Sequence, residues 1–146
     1  MKICLVSSCG GHLAELRALS PAYSQYDHFF VLDDRVLLPP DLEGRTQFVR
    51  HAERTWRVLV NVWEAMQIVR RERPDLIMSA GAGIAVSFGL AGKLLGVPML
   101  FVETCARVHK PSLSGRLVYR LADRFFYQWP ELERYYPEAT YGGPLL

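Results

Sequence analysis

The run Cys4-Leu5-Val6-Ser7-Ser8-Cys9-Gly10-Gly11-His12-Leu13 sets a glycine pair and a histidine where an apolar strand gives way to a helix. Gly10 and Gly11 lack a Cβ, so the backbone can turn sharply there and bring its N–H groups close to a ligand. A helix starting at that turn adds partial positive charge, which suits phosphate or a developing oxyanion. A phosphate cradle alone has no need of an imidazole. His12 adds a titratable nitrogen that can accept a proton, which gives the motif a catalytic aspect. The plain alternative is a tight βα turn followed by an ordinary first-turn histidine.

A second glycine turn, Ser79-Ala80-Gly81-Ala82-Gly83, again joins a strand to a helix. Gly81 and Gly83 beside Gly10 and Gly11 suggest an anionic ligand or the close approach of another body, with turn geometry as the alternative. Glu103 ends the apolar strand Phe101-Val102-Glu103-Thr104, where a charge is costly unless it is paired or faces a site. Its candidate partners are Arg107 and Lys110. The stretch holding Arg107, His109, Lys110 and Ser112 is a basic, hydroxyl-bearing loop able to hold phosphate oxygens, or else a solvated loop.

Several chemistries are disfavoured. The glycines after the first strand are adjacent, without the G-x-G-x-x-G spacing, no Walker lysine follows, and Asp33 and Asp34 fit the ribose-binding role poorly. No Cys/His spacing suits zinc and no Asp-x-Asp metal motif occurs. The chain has 146 residues, half of them hydrophobic, and a formal charge of +2. That is one domain with a real core, too weakly basic to argue for nucleic acid but compatible with an anionic membrane surface or a pyrophosphate. Three cysteines argue against a disulfide framework and for a reducing compartment.

The elements that must position these residues alternate strand and helix. Strands are expected at Lys2–Ser7, His28–Leu32, Thr46–Val49, Asp75–Ser79, Pro98–Glu103 and near Arg124–Gln128. Helices are expected at Gly11–Leu19, Thr55 to about Arg73, Ile84–Leu95 and near Ser112–Ala122, with Pro21, Pro74 and Gly96 as stops. The pattern is a doubly wound parallel α/β sheet, in which the loops at Ser7–His12, Ser79–Gly83, Glu103–Ser112 and Gln128–Pro130 gather at one edge. The N-terminus leaves no room for a signal peptide before the first strand. Gly89, Gly92, Lys93, Gly96 and Pro98 break the apolar run Ala82 to Val102 into a buried helix and a buried strand, leaving no membrane span. The loop Leu37-Leu38-Pro39-Pro40, flanked by Arg35 and Arg45, can insert shallowly into a membrane or fold onto the core. The Trp56, Val60 and Trp63 side of the long helix is either core or a docking face.

Ser8-Cys9-Gly10-Gly11-His12, Ser79-Ala80-Gly81-Ala82-Gly83, Val102-Glu103, Ser112-Leu113-Ser114-Gly115-Arg116-Leu117, Phe126-Tyr127-Gln128-Trp129-Pro130 and the Gly142-Gly143-Pro144 ending follow one another in a familiar order. That order resembles the acceptor-side half of GT-B glycosyltransferases, such as the N-terminal domain of the peptidoglycan lipid-intermediate GlcNAc transferase. It is more similar to the separate subunits of the asparagine-linked-glycosylation-fourteen type and their bacterial capsule and exopolysaccharide relatives. The resemblance implies a single Rossmann-like domain over residues 1–146 and a separate partner carrying the donor-binding domain. It also implies a UDP-sugar donor, a polyprenyl-diphosphate-linked acceptor, and no metal or other cofactor. His12 is then the expected base, and Glu103 orients it or binds the acceptor sugar. Gly10, Gly11, Gly81, Gly83, Arg107, Lys110 and Ser112 are expected around the acceptor pyrophosphate, and the tail from about residue 139 to 146 against the partner. Eukaryotic members start with an anchoring helix not seen here. The expected setting is therefore peripheral, at the cytoplasmic face of a bacterial inner membrane. A scaffold that only recruits a catalytic partner is the alternative.

Overall fold

Strand β1 (Lys2–Ser7) takes the centre of the sheet because both of its faces are apolar: Ile3 and Leu5 point to one side, Cys4 and Val6 to the other. The computed structural model describes residues 1–34, 38–50 and 57–146, with only the backbone of Arg57. After β1 come helices α1 (Gly11–Ala18) and α2 (Ser20–Tyr23), strand β2 (Asp27–Asp33) and strand β3 (Thr46–Val49). Helix α3 (Arg57–Glu72), strand β4 (Leu76–Ser79), helix α4 (Ile84–Leu95) and strand β5 (Met99–Val102) follow. Helix α5 (Leu113–Val118), strand β6 (Arg124–Tyr127) and a short strand β7 (Thr140–Tyr141) complete the fold.

The described strands form one sheet in the order β3-β2-β1-β4-β5-β6-β7, with every pairing parallel. The chain winds outward from β1 to β3, then returns through α3 to β4 on the other flank of β1. The carboxyl ends of β1 and β4 are thus the point where the winding reverses, the usual place for a ligand in such sheets. Two cores flank the sheet. Cys4, Val6, Phe29, Val31, Ile77, Met99 and Phe101 pack under α3, α4 and α5; Ile3, Leu5, Phe30, Leu32 and Met78 pack with Leu13 and Leu16 of α1. The period-two alternation of a strand sorts each set to its face.

The expected doubly wound architecture is present, and its departures are local. Ser20-Pro21 does not end the helical region but opens α2, because proline lacks an N–H and is tolerated in a first turn. Helix α5 stops at Val118, four residues earlier than expected, and Ser112 is its N-cap rather than its first residue. The tail forms β7 beside β6 and continues inward: Gly142 N–H donates to Tyr127 O at 2.9 Å and Leu145 N–H to Gln128 Oε1 at 2.8 Å. Leu145 packs on the sheet's α1-side core, whereas Leu146 is 69% exposed. In the Leu37–Pro40 loop, Leu38 packs against the same core; Leu37 and Arg35 lie outside the described residues, as do Thr55 and Trp56.

Candidate active site

His12 sits in the first turn of α1, set there by Gly10, whose backbone (φ 74°, ψ −133°) is open to glycine and strained for other residues. Its Nδ1 lies 3.1 Å from the carbonyl oxygen of Ala80 on the β4–α4 turn. A carbonyl only accepts, so Nδ1 carries the proton and the neutral ring keeps its lone pair on Nε2. The imidazole is thereby oriented by a backbone group. Gly81 makes this possible: a Cβ there would lie 2.7 Å from His12 Cε1, and its φ of +91° disfavours any side chain. Ser79 Oγ donates to Gly81 O at 2.9 Å and fixes the turn. Next to it Ala82 holds φ +77° without being glycine, a local strain of the kind found at functional turns.

The ring opens onto a two-part cleft. One compartment, about 470 Å³, is lined by His12, Val58, Asn61, Val86, Thr104, Arg107, Leu113 and Leu117 among others; a second, about 180 Å³, is bounded by Ser8, His12, Asp33, Arg50 and Asn61. The β1, β4 and β5 loops meet at one edge, as the sequence implies, and the larger compartment combines apolar walls with a single exposed arginine. A larger groove of about 580 Å³ lies at the opposite end of the strands, around Lys2, Asp27 and Gln47, and contains none of the expected site residues.

Glu103 stands differently from expectation. It is fully buried and makes none of its hydrogen bonds to His12. Oε1 accepts from Ser112 Oγ at 2.7 Å and Thr104 N–H at 3.1 Å, while Oε2 accepts from Tyr136 OH at 2.6 Å and Ser112 N–H at 3.2 Å. Its partners among the described residues are hydroxyls and amides, not Arg107 or Lys110. Burial, and then the bond to Glu103, push the Tyr136 phenol well above its usual range, so it remains a donor. Gly115 lacks the Cβ that would collide with this carboxylate. Glu103 thus anchors the start of α5 from within, with no hydrogen bond to the His12 ring it is expected to orient. Ser112 is drawn into the same role: its hydroxyl donates to Glu103 and accepts from Gly115 N–H at 2.8 Å, so it borders the cleft with its polar atoms already engaged.

Of the other expected phosphate ligands, Arg107 and Gly83 line the cleft, and Gly10 and Gly11 have open space beside their backbone. Lys110 is exposed on the same loop but is not among the lining residues. Two residues escaped the sequence reading. Glu15 of α1, 2% exposed, accepts from Thr104 Oγ1 at 2.7 Å, Cys105 N–H at 3.0 Å and Gln128 Nε2 at 2.8 Å. Gln128 also donates to Glu103 O at 2.9 Å, so these side chains tie the His12 helix to the β5 and β6 ends and the tail. Asn61 is the second, a polar residue in the apolar stripe of α3.

The fold is that of the N-terminal half of a GT-B glycosyltransferase. The crystal structure of Acinetobacter baumannii MurG superposes with a TM-score of 0.75 at 18% identity, over 89% of this chain and 42% of that one. The UDP-N-acetylglucosamine 2-epimerase of Rickettsia bellii does so with a TM-score of 0.79 at 13% identity, over 99% and 45%. The chain therefore spans less than half of each, and these likenesses concern the fold alone. Residues 50–145 match the model of the family described as "Oligosaccharide biosynthesis protein Alg14 like", and the chain belongs to that family. The human UDP-N-acetylglucosamine transferase subunit ALG14 is 28% identical, covering 100% of this chain and 83% of its own length. A UDP-N-acetylglucosamine–N-acetylmuramyl-(pentapeptide) pyrophosphoryl-undecaprenol N-acetylglucosamine transferase from Nitrosospira multiformis is 30% identical over 62% of this chain and 26% of its own.

Proposed function

We propose that this chain is the acceptor-binding subunit of a heteromeric glycosyltransferase that moves a sugar from a UDP-sugar to a polyprenyl-diphosphate-linked sugar in surface polysaccharide synthesis, and that His12 is its base. The carrying observation is the imidazole held by Ala80 O over Gly81, its ring lining the cleft and its Nε2 without a hydrogen-bond partner among the described residues. In the transfer, an acceptor hydroxyl attacks the anomeric carbon of the donor. The new C–O bond forms as the bond to the diphosphate breaks; UDP leaves with the electron pair and the proton passes to His12 Nε2. Arg107 and the amides of the glycine turns balance the acceptor diphosphate, and the apolar wall of Val58, Val86, Leu113 and Leu117 suits the first isoprene units. The donor site belongs to a separate GT-B subunit, met through the cleft edge and the exposed Leu146 of the tail.

Attachment is peripheral, on the cytoplasmic face of a bacterial inner membrane. No described helix is long and apolar enough to cross a membrane. Leu59 and Trp63, 73% and 62% exposed and one turn apart on α3, give an apolar surface suited to a bilayer or a partner. The same residues favour a second reading, a recruiting scaffold without chemistry. His12→Ala in the complex reconstituted with its donor-binding partner separates the two: loss of about 10²–10⁴ in kcat with unchanged assembly is expected for the base. Near-normal turnover leaves the scaffold.

A further inference from the structure

The wall between the two compartments of the cleft holds a side chain that the fold leaves unused. Asn61 lies on the stripe of α3 that carries Ala65, Ile68 and Val69 into the core. It is 5% exposed, and its Oδ1 has no hydrogen-bond partner among the described residues. A buried carbonyl without a donor is destabilising, and native interiors rarely keep one. Leucine at this position would suit the helix and its neighbours. Asn61 borders both compartments, and it shares that place with His12, Ala82 and Gly83. An orphaned acceptor thus sits in the same partition as the oriented imidazole and the strained Ala82 turn.

We propose that Asn61 Oδ1, closed off from solvent as the side chain stands and reached when its amide turns into the cleft, is a specificity-determining contact that accepts a hydrogen bond from a neutral donor on the acceptor sugar, a hydroxyl or an amide N–H, and so selects which hydroxyl meets His12. The proposal rests on the acceptor-subunit function above and names a contact within it. The chemistry of the orphan sorts the parts of such a substrate. Phosphate oxygens carry lone pairs and are repelled by a carbonyl oxygen, and an isoprenoid chain has no donor to give. The sugar alone supplies one. This places the sugar ring across the partition and the diphosphate further along the larger compartment, where Arg107 stands. A site built to bond a hydroxyl rejects analogues lacking it far better than an apolar pocket rejects an added group.

The test uses the complex with the donor-binding subunit, UDP-GlcNAc as donor, and phytanyl-diphosphate-linked GlcNAc with its glucose and single-deoxy analogues as acceptor probes. Asn61→Leu is expected to raise KM for the acceptor about 10–100-fold and leave KM for UDP-GlcNAc unchanged. Its discrimination among the analogues should collapse, and its melting temperature should equal or exceed that of the parent because the orphan is gone. Asn61→Ser, a milder change, should show an intermediate acceptor KM. An active parent whose variants keep the parental acceptor KM and selectivity overturns the role of Asn61 alone. A fall in melting temperature of Asn61→Leu with kinetics unchanged shows an internal water serving Oδ1, and overturns it equally. A parent complex inactive on every lipid-diphosphate sugar overturns the transfer function itself.

Discussion

Gly81→Ala puts the orientation of His12 to a quantitative test. The new methyl would lie 2.7 Å from His12 Cε1, where ordinary contact begins at 3.4 Å, so the ring must retreat by at least about 0.7 Å. The β4–α4 turn cannot easily yield instead, because Ser79 Oγ holds Gly81 O and Ala82 beside it is already at positive φ. A retreat of that size strains the Nδ1–Ala80 bond, which fixes both the tautomer and the aim of Nε2. Misplacing a reacting group by about 1 Å costs on the order of 10²-fold in rate. We therefore expect kcat of the reconstituted complex to fall about 10²-fold, with KM for the UDP-sugar little changed. The positive φ adds about 1–2 kcal/mol of destabilisation, a drop of several degrees in melting temperature for a domain of this size. Because both substitutions act through one ring, adding Gly81→Ala to His12→Ala should cost almost nothing further in kcat. Full turnover by Gly81→Ala, or a double variant in which the two losses multiply, would refute the reasoning.

Glu103→Ala leaves the Tyr136 hydroxyl and the Thr104 and Ser112 amides without their carboxylate, at about 1–3 kcal/mol for each buried donor, so a loss of at least ~3 kcal/mol is expected in urea unfolding; unaltered stability with abolished turnover would return Glu103 to a catalytic role. The Glu72 carboxyl is held down at about 2, chiefly by its hydrogen bond from Lys2 with Gln47 and Arg71 adding, against an ordinary 4.5. The stabilisation it gives is therefore complete above about pH 4.5 and is lost as pH falls toward 2. Glu72→Gln should flatten the melting-temperature profile in that window, and two parallel profiles would contradict it. Leu146→Asp, which spares the Leu145–Gln128 bond, should weaken co-purification with the donor-side subunit while the melting temperature holds; undiminished assembly would move the interface to the Glu103–Ser112 loop.

The central strands were legible because a parallel sheet buried on both faces leaves unbroken apolar runs, as in Ile3–Val6 and Phe29–Leu32, and the end of α4 because Gly96, at φ +72°, marks it. His12 was legible for a local reason: the glycine pair and the ring are contiguous in sequence. The partners were not. Glu103 advertised a charge at a strand end, but Tyr136 lies 33 positions away and no period links them. Glu15 resembles any helix glutamate until β5 and β6 close over it. Asn61 did carry a signal, a polar residue spaced with Ala65, Ile68 and Val69 on one helical face. Its missing donor becomes visible once the cleft is built. β7, two residues long, is too short for alternation to show.

The reversal of winding at β1 also sets the order in which the molecule can come together. β1, β2 and β3 lie within the first 49 residues, and their pairings close early and cheaply. The β1–β4 pairing joins Ile3 to Leu76 across the whole of α3, one of the slow closures of the fold. The carbonyl that aims His12 arrives on the same strand end, 68 positions from the ring it holds. A nascent chain that has not yet delivered Ala80 therefore displays the glycine pair and the histidine without a fixed proton. The Nδ1–Ala80 contact depends on the pairing of β4 with β1, the seam at which the two flanks of the sheet meet.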